Sequence, residues 1–143
     1  MKTKLLDRTF ELESIAVCVA AFCPWLKAPA VALFSGPLGS GKTTLIAAIL
    51  ENCFSISRDQ VASPTFTMLH EYPRELSNIA HFDLYHLKDP LDFEKMGWSE
   101  HFDGISLIEW PERLGELMPE KYIHVTLHIE GENRRRVVVH EVS

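Results

Sequence analysis

The chain of 143 residues has no apolar run near the roughly 18 residues that a membrane helix needs. Its most apolar early segment, "IAVCVAAFCPWL", is broken by Pro24 and preceded by Glu11 and Glu13. No basic segment leads into that run, so neither a signal peptide nor a membrane anchor is expected, and a cytoplasmic protein is. Cysteine is scarce. Cys18, Cys23 and Cys53 are an odd number without CxxC spacing, and they read as small buried hydrophobes in a reducing compartment. None of the seven histidines is joined to cysteines at zinc-finger spacing, which argues against zinc. There is no basic surplus either. A formal net charge of −6 argues against a broad, salt-sensitive grip on nucleic acid. The one basic run, Arg134, Arg135 and Arg136, should alternate faces on a strand and remain a solvated edge. No repeat, low-complexity stretch or linker divides the chain, and one domain over residues 1–143 is expected.

What is present reads as alternating strands and helices. The segment 11–22 has helical composition, with Ile15, Val19 and Phe22 at helical spacing. "AVALFSG" is a short apolar run ending in glycine, a buried strand, and "KTTLIAAILENCF" is a helix with Leu45, Ile49 and Cys53 on one side. "TFTMLHEY" and "NIAHFDLYHL" read as strands, "PLDFEKMGWSEHF" as a helix that breaks near Gly97, and "GISLIEW" as a strand. "YIHVTLHIE" and "RRRVVVHEV" form a hairpin around "EGEN". This order predicts an α/β protein, a three-layer domain with a mixed central sheet and a C-terminal β-hairpin.

"GPLGSGKTT" fits G-x-x-x-x-G-K-[ST] at Gly36, Gly41, Lys42 and Thr43. Gly36, Gly39 and Gly41 let the backbone turn tightly, so that N–H groups around Ser40 and Thr44 can aim inward. The helix that follows points its positive end at the same place. Lys42 can reach the β- and γ-phosphates of a nucleotide, and the Thr43 hydroxyl is placed to hold Mg²⁺. Four constrained positions coincide by chance about once in a few hundred chains of this length, and the required strand and helix flank them here. The fold expected is therefore P-loop NTPase-like, with a nucleoside triphosphate and Mg²⁺ as ligands.

Such a site needs an acid near the metal, commonly at the end of a neighbouring strand. On "NIAHFDLYHL", period-two alternation puts His81, Asp83 and Tyr85 on one face. An edge strand with one wet face and direct ligand contact both account for His81 and Tyr85. Asp83 is the stronger candidate, because a carboxylate among apolar residues is costly unless paired or metal-bound. Glu109, at the tip of "GISLIEW", ends an apolar run with an acid, and open α/β sheets bind ligands at the carboxyl ends of their strands. Alternation turns Trp110 away from Glu109, into the core or towards a partner. In "SPTFT", Thr65 sits at a turn where a hydroxyl either senses a γ-phosphate or makes a local hydrogen bond.

"GPLGSGKTT", "SPTFTMLHEY", "HFDLYHL" and "LIEWPERL", in this order and spacing, closely resemble the bacterial TsaE (YjeE) family over about residues 11–138. The resemblance implies a small ATPase acting with the TsaB–TsaD complex, downstream of TsaC. The pathway it implies makes N6-threonylcarbamoyladenosine at position 37 of tRNAs reading ANN codons, the transfer itself belonging to TsaD. It further implies that Gly39 to Thr44 bind ATP phosphates, that Thr43 and Glu109 hold Mg²⁺, and that Thr65 is switch-like. Asp83 would lie near metal or attacking water, Trp110 on the functional surface, and Thr9 and Glu11 on the adenine side. Two positions depart from the family pattern. Pro37 stands where an acid is usual, and His86 where arginine is usual, which removes a permanent cation.

Two other classes fit a P-loop. A nucleoside or nucleotide kinase would need an acceptor pocket and an arginine-bearing lid, and no Gly- and Arg-rich lid segment is present. A nucleotide-dependent binding module would hydrolyse only incidentally. The guanine motif NKxD and the ABC signature LSGGQ are both missing.

Overall fold

The computed structural model describes all 143 residues. Seven strands form one mixed sheet: β1 (Lys2–Glu11), β2 (Ala30–Ser35), β3 (Leu69–Tyr72), β4 (Ile79–Asp83), β5 (Ile105–Glu109), β6 (Tyr122–Ile129) and β7 (Arg134–Val142). Their spatial order is β1-β7-β6-β2-β5-β4-β3. The inner four, β6, β2, β5 and β4, run parallel, while β1, β7 and β3 pair antiparallel. Every residue of β4 and β5 is buried, as parallel strands covered on both faces should be.

Two apolar layers cover the sheet. On one face, α1 (Ile15–Val19), the 3-10 turn after it and α2 (Lys42–Phe54) pack Val19, Phe22, Leu45 and Ile49 against Phe34, Leu107 and Val125. On the other, α3 (Pro90–Lys95) and the following 3-10 turns bring Phe93 and Leu114 onto Leu33, Phe82 and Ile108. The three-layer, P-loop NTPase-like α/β architecture with a C-terminal hairpin is thus the observed one. No helix is long and apolar enough to cross a membrane.

The elements differ from the expected ones in places. Residues 2–11 form a strand that sequence reading missed. The expected helix over 11–22 is a short α-helix flanked by 3-10 turns at Leu12–Ser14 and Ala20–Trp25, the second holding Pro24. Residues 65–68 are a turn ending in Met68 at φ 65°, so β3 begins only at Leu69. Cys23 and Cys53 are joined in a disulfide, not separate thiols. The turn at Ala20–Trp25 lies against the C-terminal end of α2, which brings their Cα atoms within 5.2 Å. Only Cys18 is free, and it is buried as expected.

Candidate functional site

The parallel strands β2, β5 and β4 end at one level, because Phe34 is paired with Glu109 and Asp83 with Glu109 in register. The loop from β2 to α2 crosses just beyond those tips. Gly39 and Gly41 take φ values of 78° and 101°, a region where a side chain would be strained. At Gly36 the constraint is space: a Cβ would meet Ser40 Oγ at 2.7 Å and Leu127 O at 3.0 Å.

A cavity of about 320 Å³ lies at this edge. The whole run from Leu38 to Thr44 lines it, with Ser63, Thr65, Asp83, Glu109 and Trp110. Thr43 Oγ1 donates to Glu109 Oε1 at 2.9 Å and Oε2 at 3.0 Å. Glu109 Oε2 also accepts from His81 Nε2 at 2.7 Å. Thr65 Oγ1 donates to Asp83 Oδ2 at 3.0 Å and stands 2.7 Å from Ser63 Oγ. Asp83 Oδ1 accepts the Tyr85 N–H at 3.0 Å.

Two carboxylates that are 4% and 2% exposed therefore sit side by side on adjacent strands, satisfied by hydroxyls, a backbone N–H and a histidine. Hydroxyl and carboxylate oxygens form a donor set that suits a hard divalent cation. The residues Thr43, Glu109 and Asp83 thus fit the metal expected from the sequence.

Lys42 faces the same cavity. Its ammonium donates to Gly36 O at 2.5 Å and Pro37 O at 3.3 Å, and lies 4.2 Å from the centre of the Trp110 ring. Burial pushes its pKa down, and the charges of Glu109, Glu112 and Asp83 oppose that shift. Trp110 does not follow strand alternation. The strand stops at Glu109, and Trp110 takes φ 57°, which turns its ring back over Lys42 and against Tyr85. Neither alternative holds for His81: β4 is flanked by β3 and β5, and His81 is fully buried against Glu109, outside the cavity lining. Tyr85 lies beyond the strand end, packed on His86 and Trp110. His86 stacks on the exposed Phe66 ring.

Two candidates lie elsewhere. Thr9 and Glu11 are on the edge strand β1, outside the cavity lining, and Glu11 is paired with Arg134 at 3.1 Å. One residue was missed. Arg134 and Arg136 are the solvated arginines expected, but Arg135 is only 7% exposed and donates to the carbonyls of Ser40 and Gly39. Its place on β7, with polar neighbours on both sides, gave no sign of that.

Comparison with known proteins bears on this geometry. The family model described as "Threonylcarbamoyl adenosine biosynthesis protein TsaE" matches residues 9–137. The chain belongs to the TsaE family. That family serves threonylcarbamoyladenosine biosynthesis. Among TsaE relatives, one from Rickettsia prowazekii is 33% identical over 121 residues, 84% of this chain and 83% of the relative. One from Bacillus subtilis is 33% identical over 129 residues, covering 89% and 77%. One from Haemophilus influenzae is 42% identical over 95 residues, covering 65% and 59%. In fold, the chain is similar to a crystal structure of YdiB from Bacillus subtilis, with a TM-score of 0.75 and 22% identity over 100% of this chain and 88% of that one. All four TsaE-like stretches fall inside the matched residues, and all four, through Thr43, Thr65, Asp83 and Glu109, meet at this cavity.

Proposed function

We propose that this TsaE-family chain is a Mg²⁺-dependent ATPase that serves threonylcarbamoyladenosine formation at position 37 of tRNAs reading ANN codons. It acts on the TsaB–TsaD complex through ATP binding and hydrolysis, in the cytoplasm and without gripping tRNA itself. The observation that carries this reading is the meeting of Thr43, the last residue of the glycine-rich motif, with Glu109 at a strand tip 66 residues later.

The loop N–H groups and the N-terminal end of α2 bind phosphate. Lys42 exchanges its carbonyl partners for phosphate oxygens. Thr43 and Glu109 hold the metal, with Asp83 beside them to bind it or to orient water. Mg²⁺, when bound, supplies positive charge to the oxygens on which negative charge grows. Thr65, tied to Asp83 from its turn, is placed to report on the γ-phosphate. Thr9 and Glu11 remain candidates for the adenine side from their position on β1.

The test is phosphate release from ATP, with and without TsaB–TsaD, for wild type, Lys42→Ala and Glu109→Ala. Wild type should hydrolyse ATP with its rate raised by the complex, and both variants should not. ADP formed only with a nucleoside present, the γ-phosphoryl group passing to that acceptor and no phosphate being released, would instead make the chain a kinase. Equal nucleotide binding without any hydrolysis would make it a binding module.

A further inference from the structure

Arg135 is a buried cation without a carboxylate partner. Its guanidinium makes five hydrogen bonds, all to backbone carbonyls. Nε donates to Ser40 O at 2.9 Å and Nη2 to Gly39 O at 3.3 Å. Nη1 lies within 3.0 Å of Gly131 O and Arg134 O, and 3.4 Å from Glu132 O. One side chain therefore bridges the glycine-rich loop and the turn between β6 and β7. Gly39, Ser40 and Gly41 line the cavity and Arg135 does not, so the guanidinium stands behind the loop.

The consequence follows from peptide geometry. In a planar trans peptide the C=O and the N–H point in opposite directions. Holding Ser40 O against Arg135 turns the Gly41 N–H away from β7. The neighbouring Ser40 N–H is already used, donating to Pro37 O at 3.0 Å. Gly41, at φ 101°, has no side chain to resist rotation of that peptide, so an outside anchor is what fixes it. A buried cation is also costly without a counter-charge, and carbonyl dipoles compensate only part of it. Phosphate on the far side of the loop would supply the rest.

We propose that Arg135 is a positioning residue of the phosphate site. It holds the Ser40–Gly41 peptide with its N–H presented to a di- or triphosphate, and couples that orientation to the turn at 130–133. This inference rests on the nucleotide reading given above, and goes beyond it in assigning a residue that never touches the ligand.

The test uses the full chain with Arg135→Lys and Arg135→Met, and Mg²⁺ with AMP, ADP or ATP as probes. Equilibrium dissociation constants are measured at a temperature where circular dichroism shows each variant folded. ADP and ATP binding should weaken about 10- to 100-fold in Arg135→Met and less in Arg135→Lys, with AMP little changed. A merely structural role would lower the unfolding midpoint and leave the ADP-to-AMP affinity ratio at its wild-type value, and that result overturns the proposal. Hydrogen exchange on wild type covers the case of a variant that does not fold. Adding ATP should slow exchange at residues 131–134 as well as 39–42, and unchanged exchange at 131–134 overturns the coupling. Wild type that binds none of the nucleotides would overturn the nucleotide reading itself, which separates the two failures.

Discussion

Thr43 Oγ1 donates to both oxygens of the Glu109 carboxylate, at 2.9 and 3.0 Å, joining the start of α2 to the tip of β5. On the proposed reading both hold one Mg²⁺, and two residues that hold one ion do not contribute independently. Thr43→Ala and Glu109→Gln should each weaken the Mg²⁺ dependence of nucleotide binding. The double variant should then be little worse than the weaker single one, because the ion is already lost. A magnesium titration of nucleotide binding for the four proteins checks this. Additive losses would mean the two residues act on different groups.

His81 offers a second prediction. It is fully buried, and its Nε2 donates to Glu109 while Nδ1 has no partner. An imidazole that fixes the orientation of the carboxylate proposed to bind Mg²⁺ would behave as an outer-sphere support. Removing such supports typically costs 10- to 100-fold in metal affinity. His81→Ala should therefore raise the magnesium concentration for half-saturation by about that factor while ATP binding without metal stays near wild type. His81→Gln retains a donor and should recover part of the loss. Equal magnesium affinity in all three proteins would show that Glu109 keeps its position without help.

The residues of the cavity were largely legible because each carried a local signal. Glycine spacing marked the loop, and an acid at the end of an apolar run marked Glu109. Of the four parallel strands, β2 and β5 announced themselves as short apolar runs, β4 by period-two alternation and β6 as one arm of a hairpin. What escaped depended on partners distant in sequence. β1 is mostly exposed, with Phe10 its one buried residue, so its periodicity was weak and its pairing with β7 invisible. Arg135 shares a run with two solvated arginines, and only the packing of β7 behind residues 39–40 distinguishes it. The resemblance put Trp110 on the functional surface, but alternation misdirected its ring, because it was continued one residue past the strand end, where a left-handed turn reverses its direction. Cys23 and Cys53 meet only because the 3-10 turn before β2 docks against α2.

Gly36 gives a prediction about space rather than charge. A Cβ there would meet Ser40 Oγ at 2.7 Å, and the backbone oxygen of Leu127 at 3.0 Å cannot rotate away. Gly36→Ala should destabilise the chain by about 1–3 kcal/mol through overpacking. Gly36→Ala with Ser40→Ala removes the nearer clash, and should regain only part of that because the Leu127 carbonyl remains. Urea unfolding curves for the three proteins measure both steps. A Gly36→Ala midpoint equal to wild type would show that β6 can move aside freely.

The last prediction concerns acid. His124, on β6, shares a 2.8 Å hydrogen bond with Ser35 Oγ and is paired in register with His140 on β7. Burial holds its pKa below the ordinary 6.5, and the positive charges of Lys2 and His140 add to that, against Glu112. The folded chain thus binds a proton at His124 less readily than the unfolded chain does. As pH falls through about 6.5 the unfolded state gains the proton first, so stability falls with pH until the folded pKa is passed, and then levels. His140 is lowered in the same direction by burial and by Lys2 and Lys4, opposed by Asp7. His124→Gln keeps a side chain able to bond Ser35 and cannot titrate. It should flatten part of the decline in unfolding free energy between neutral pH and about pH 5, and His124→Gln with His140→Gln should flatten more of it. Denaturant melts at half-unit pH steps give the slopes. A wild-type slope that the double variant leaves unchanged would place the acid sensitivity among the carboxylates instead.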